Sequence, residues 1–278
     1  MLWTPQKGKL LVEHTAGSVG SRTFGTSVTT GAAASTKGTA VELIASTAFD
    51  AYWISILAHG YGNSTEASEG CLDILIGAAT EEVLIPDLLM GYSNKSSADV
   101  YPPKTWDFPL YIPAGSRLAA RAAGVRTSTA FYVAVFLYGG IGLPPFRAGG
   151  KVTTLGIATV PNGTAITPGA SGAEGSWTEV IASTAEDYFA LVPSFQLADN
   201  TAALDRFLSL DIAVGAAAAE EEIGSAYGFM TSSRESMHGP FPTLPCFQDI
   251  PSGTRLSMRA SCEGTIDPAY QVALHAVS

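Results

Sequence analysis

Residues 42–50 read ELIASTAFD and residues 179–187 read EVIASTAED, identical at seven of nine positions. The register continues at an offset near 138. Asp73-Ile74-Leu75-Ile76-Gly77-Ala78-Ala79 answers Asp211-Ile212-Ala213-Val214-Gly215-Ala216-Ala217, and Pro113-Ala114-Gly115-Ser116-Arg117-Leu118 answers Pro251-Ser252-Gly253-Thr254-Arg255-Leu256. GTSVTTGA at 25–32 pairs with GTAITPGA at 163–170, and AFYVAVFL with AYQVALHA, placing Tyr132 with Tyr270 and His275 with Leu137. A period this long means a duplicated domain and not the turns of a solenoid. Compositional bias toward small residues does not explain it, because Asp, Glu, Arg and Pro keep their places too.

The reading divides the chain into an N-terminal arm (1–21), a first copy (22–140), a Gly/Pro-rich linker (141–150) acting as a short hinge, and a second copy (151–278). In the first copy, short segments between turn signals predict strands at Arg22–Thr30, Ala40–Ala45, Ala51–Ala58, Cys71–Gly77, Glu82–Pro86, Pro109–Ile112, Arg117–Ala122 and Ala130–Tyr138. Arg117 and Arg121 face one side of their strand and Leu118 and Ala120 the other, and Arg255 and Arg259 repeat the pattern. Eight short strands per copy predict an all-β chain of two tandem antiparallel β-sandwiches of jelly-roll type. Ala and Glu in Gly77–Val83 and Gly215–Ile223 predict one helical turn in each copy.

Composition narrows the function. Only 14% of residues are charged, the net charge is −10, and the pI is near 4.8. Phosphate recognition needs a basic face, so nucleic acid is not the expected partner. No apolar run reaches the roughly 18 residues of a membrane-spanning helix. The first residues lack the pattern of a secretory signal, and three cysteines (Cys71, Cys246, Cys262) make neither a disulfide framework nor a metal motif. The expectation is reduced thiols and synthesis in a cytoplasm. The halves differ in charge: residues 1–144 hold nine Lys and Arg against eleven Asp and Glu, and residues 145–278 hold six against fourteen. Two copies with different faces are expected to meet different neighbours.

No constellation for chemistry emerges. The four histidines lack ligand spacing, there is no Gly-x-Ser-x-Gly elbow or phosphate loop, and His275 reads as a structural strand residue. Asp50 and Asp187 read as turn residues capping local backbone N–H groups, and Asp73 and Asp211 receive the same reading. Glu220-Glu221-Glu222 reads as a solvated face. The arginine pairs read by default as solvated strand faces and, as interface candidates, as contacts for an acidic partner. No catalytic, cofactor or metal residue is assigned.

The runs IPAGSRLAARA and IASTAFDAYWISI, in a low-charge chain of two copies, resemble virion structural proteins of tailed bacteriophages, among them decoration or cement, collar and fibre-associated proteins. The resemblance implies a non-enzymatic role in a virion, with self-association and contacts to capsid or tail proteins. A trimer is the favoured oligomer, since three chains of two similar domains offer six similar faces. Leu2 and Trp3 in the arm, with Arg117, Arg121, Arg255 and Arg259, are the interface candidates. The alternative is a carbohydrate-binding adhesin, with Tyr92, Tyr101 and Trp106 of the long loop as the glycan contacts.

Overall fold

A computed structural model describes residues 10–14, 25–61, 69–77, 81–91, 104–140, 147–169, 172–197, 206–230, 236–238, 245–263 and 270–278. The first copy contributes β1 (Leu11–His14), β2 (Thr26–Thr29), β3 (Val41–Ile44), β4 (Ala51–Tyr61), β5 (Gly70–Ile76), β6 (Glu82–Leu89), β7 (Lys104–Phe108), β8 (Leu118–Gly124) and β9 (Ala130–Gly139). The second contributes β10 (Val152–Leu155), β11 (Thr164–Ile166), β12 (Thr178–Ile181), β13 (Tyr188–Leu197), β14 (Arg206–Val214), β15 (Glu221–Met230), β16 (Ser236–His238), β17 (Cys246–Ile250), β18 (Leu256–Cys262) and β19 (Tyr270–Val277).

Each copy builds two antiparallel sheets. In the first, β1-β9-β4-β7 with β2 beside β9 faces β3-β8-β5-β6. The second repeats both orders, as β10-β19-β13-β17 with β11 beside β19, and β12-β18-β14-β15 extended by β16. From β2 to β5 and again from β6 to β9, the chain changes sheet at each successive strand. This is the jelly-roll winding. Between the sheets Ile54, Ile56, Val133 and Val135 meet Leu72, Ile74, Leu118 and Ala120, one side of each alternating strand. Leu191, Phe195, Leu210, Ile212, Leu256 and Leu274 do the same in the second copy.

The repeated sequence signature has a mechanical cause. Thr47 donates its hydroxyl to the Pro113 carbonyl (2.7 Å) and accepts the Ser116 N–H (2.9 Å), while Asp50 accepts the Ala114 N–H (2.8 Å). In the second copy Thr184 donates to Pro251 (2.9 Å) and accepts from Thr254 (3.0 Å), and Asp187 accepts from Ser252 (2.7 Å). Gly115 and Gly253 sit inside these turns at φ 81° and 84°, where a side chain is strained. The Ser-Thr-Ala-x-Asp run thus clasps the Pro-x-Gly turn, and both Asp residues cap backbone N–H groups, those of this distant turn and not the local ones read from sequence.

Several expectations change. Leu11–His14 pairs with β9, so this part of the arm belongs to the first sheet. The strand expected at Pro109–Ile112 is displaced to Lys104–Phe108, where Trp106 and Phe108 point into the core. Leu110 and Ile112 keep only isolated bridges. Ala216–Ala219 closes as a tight turn, with the Ala219 N–H on the Ala216 carbonyl (3.0 Å) and Ala218 at φ 64°, so no helical turn forms there. In the other expected turn, Glu82 and Val83 belong to β6, and 78–80 lie outside the described residues.

The last strands align at an offset of 139, not 138. Phe131, Val133, Val135 and Leu137 face one core, and Tyr270, Val272, Leu274 and Ala276 face the other. A shift of one residue exchanges the two faces of a strand. Tyr270 therefore matches Phe131, and His275 matches Phe136.

Candidate interaction surface

The second copy turns the outer face of its β10-β19-β13-β17 sheet onto the first copy. β19 is buried at every position and β13 nearly so, because both faces of these strands are covered. Phe189, Ala190, Val192 and Val277 join the core that holds Phe108, Leu110 and Ile85 of the first copy. Beside them, Ala273 with Ile157 and Val160 covers Cys71, Leu89 and Ala123 on the outer face of β5, β6 and β8. Residues of the second copy thus complete the first copy's apolar core, while the second copy keeps a core of its own.

Several buried polar groups in this seam are hydrogen-bonded across it. Gln196 is fully buried; its carbonyl accepts the Gly70 and Gly91 N–H groups (3.0 Å each), and its amide donates to Pro161 O (2.8 Å) and to Gln271 Oε1 (2.7 Å). Ser194 accepts the Leu89 N–H (3.2 Å). The bonds around His275 fix its tautomer. Thr154 donates to the Pro86 carbonyl (2.5 Å), so its oxygen accepts from His275 Nδ1–H (3.0 Å), and the bare Nε2 accepts the Ser194 hydroxyl (2.7 Å). Burial pushes His275 down to about 3, so the ring is neutral. The Ser–His–Thr arrangement lies inside the seam with no exposed atom on His275 or Ser194, and its role is structural. Lys104, also buried, donates to the carbonyls of Met90 and Phe195, one from each copy.

The arginine stripes are not open solvated faces. Arg117 pairs with Glu42 and Glu81, and Arg255 with Glu179 (2.8 Å) and Glu220 (3.1 Å). Arg121 binds Asp73 (2.8 Å), and Arg259 binds Asp211 (3.0 Å), Glu174 (2.6 Å) and Glu222 (3.3 Å) while lying 4.3 Å from the Trp177 ring centre. Asp73 and Asp211 are therefore buried strand residues and not turn caps, and Glu220 and Glu222 are ion-paired rather than simply solvated. The first copy adds Lys37, 2.6 Å from both Asp73 and Asp87 and 3.2 Å from Cys71 Sγ. Burial opposes the charge on Lys37, but Cys71, Asp73 and Asp87 together outweigh it and raise its pKa. Burial pushes the Cys71 thiol up to about 12, so it stays protonated.

Trp106 is fully buried in β7 between the sheets, which corrects its placement in a loop as a glycan contact. Leu2, Trp3, Tyr92 and Tyr101 lie outside the described residues. Among the described residues, no group of three His, Cys, Asp or Glu side chains is placed to hold a metal ion, and no helix is long and apolar enough to cross a membrane. The seam residues Ser194, Gln196 and His275 escaped sequence reading as a contact. The signal was present in Phe189-Ala190-Leu191-Val192, consecutive apolar positions where a sheet with one wet face alternates.

No family model matches this sequence, and no curated protein matches it. Among solved structures, the chain is similar to PNGF-II at 5% identity and a TM-score of 0.33, covering 86% of this chain. It spans 59% of the PNGF-II chain. It is similar to the STIV MCP at 10% identity, with a TM-score of 0.34 and coverage of 97% and 96% of the two chains. A third likeness, at 11% identity and a TM-score of 0.33, is to a chain of Broad Bean Stain Virus, covering 95% of this chain and 90% of that one. At such TM-scores these likenesses assign no function, and the jelly-roll description rests on the strand order above.

Proposed function

We propose that this chain is a non-enzymatic structural protein of a tailed-phage virion, self-associating as a trimer. It attaches to the particle as capsid decoration or cement, or as a tail, collar or fibre component. The observation that supports this reading is the seam: one sandwich buries its edge on the outer sheet of the next, with several polar groups hydrogen-bonded across the contact. Packing of this kind builds a rigid unit from repeated modules. The charged side chains of the two stripes are engaged with each other and leave no convergent reactive set there.

Copy number per purified particle, measured by quantitative mass spectrometry, tests the reading. Hundreds of copies place the protein on the capsid, and about six to a few dozen place it on tail, collar or fibre, as rotational symmetry requires. Absence from particles overturns it. A glycan array is the second arm: strong sugar binding without binding to capsid or tail protein favours the adhesin alternative, which has lost Trp106 as a contact.

A further inference from the structure

We propose that the seam joining the two sandwiches within one chain is repeated between chains, so that molecules join head to tail. The inference rests on the self-associating reading above and names the surfaces that carry it.

The duplication supplies the template. In the first copy Cys71 lies opposite Leu89 and Ala123, and in the second Ser209 lies opposite Tyr227 and Ser261, each shifted by 138 residues in the same register. Cys71, Leu89 and Ala123 have no exposed surface because the second copy covers them. Among their counterparts, Ser209 and Ser261 are half-buried and Tyr227 is 70% exposed, while Phe207, diagonal to Tyr227 on the same face, is 63% exposed. The neighbouring segments show the same contrast. Four of the five residues 108–112 are buried, whereas three of the five at the matching positions in β17 are exposed. Large exposed aromatics at positions built to be covered mark a contact surface.

The complementary half lies on the first copy. The face of the second copy that covers Leu89 carries Ser194, Ala273 and His275, and the matching positions on β4 and β9 are Leu57, Ala134 and Phe136. With Tyr132 and Tyr138 they form an aromatic sheet face, where His14 packs on Phe136 (5.7 Å), His59 stacks on Tyr132 (5.2 Å) and Ser55 and Asp107 lie in register beside Phe136; Leu57, Tyr132, Phe136 and Tyr138 are each half-buried. An aromatic knob pair on one end and an aromatic face on the other suit each other where the internal seam uses Leu89 against Ala273. The occupant is therefore a second copy of this chain. Such a heterologous contact closes into a ring or runs on as a filament, and the trimer is the three-chain ring.

The test uses two variants of the full chain, Phe207→Glu/Tyr227→Glu on the knob side and Tyr132→Glu on the face side, with Phe136→Glu as a second face variant. Circular dichroism melts check that each is folded. Sedimentation velocity is expected to show wild-type oligomers and monomers for each variant, with association weakened about tenfold or more. An equimolar mixture of a knob variant and a face variant is expected to give a two-chain complex and nothing larger, because one intact knob and one intact face remain. Variants that still assemble like wild type, or a mixture that fails to pair, overturn the proposal. So does a wild-type chain that stays monomeric. Co-sedimentation with particles is scored separately: attachment without this assembly refutes only the head-to-tail contact, and assembly without attachment refutes only the virion reading.

Discussion

The side chains that hold each copy together are small and polar. Thr47 and Thr184 are each 3% exposed and each bridge a carbonyl and an N–H of the opposing turn. Thr47→Val and Thr184→Val keep the shape but remove both hydroxyl bonds. The turn keeps its long 3.3 Å N–H to carbonyl bond and, in the second copy, the Thr254 hydroxyl on Pro251. Each change is expected to lower stability by about 1–2 kcal/mol. Urea denaturation measures both, and the clasp account requires similar losses in the two copies. His275 gives a pH signature. Its pKa is about 3 in the folded chain against 6.5 for the ordinary group, so the unfolded chain takes up the proton first as pH falls. The stability contributed by the neutral ring is complete above about pH 6.5 and declines toward pH 3. Burial also lowers His59, to about 4, with the same sign. Denaturation midpoints between pH 7 and 4 are expected to fall more steeply in wild type than in His275→Gln. The two ends of the clasp were legible as repeats because identity persisted at both, but their contact was not. The role of His275 was legible only as structural, since its partners come from Thr154 and Ser194, 121 and 81 residues away.

Strands β5 and β14 carry the same Asp in the same register opposite an Arg of β8 or β18. Asp73 is 2% exposed and holds Lys37 and Arg121 together, so Asp73→Asn takes the buried carboxylate from Arg121 and leaves Lys37 with Asp87. Breaking fully buried pairs costs roughly 3–5 kcal/mol, and about 2 kcal/mol is expected here because Arg121 keeps about a third of its side chain in water. Chemical denaturation of Asp73→Asn beside Asp211→Asn checks the value; a smaller loss is expected at Asp211, whose Arg259 retains Glu174 and Glu222. These aspartates were misread as turn residues because a carboxylate before an apolar run looks alike in a turn and in a strand with a cross-strand partner. Strand β7 was missed for a related reason. Asp107 interrupts the apolar pattern, and its acceptance of the Trp53 N–H (2.9 Å) and the Ser55 hydroxyl is invisible without the fold.

At the scale of the molecule, Phe189 and Val192 of the second copy complete the core of the first, so the halves are coupled. Differential scanning calorimetry is expected to show a single transition with the enthalpy of the full chain, where independent copies would give two. The twofold plan was legible from one nine-residue echo, but the seam was not. Repetition says that two modules exist, whereas their docking depends on which face each strand turns outward, and the one-residue change in offset at β19 exchanged those faces. During synthesis the ribosome delivers β1–β9 first, yet the residues that close this core lie between positions 152 and 277. The nascent amino-terminal half must therefore wait, with a greasy flank uncovered, until the second copy has emerged as far as Val277. Its successful production depends on how fast the remainder follows and on whatever shields that flank meanwhile.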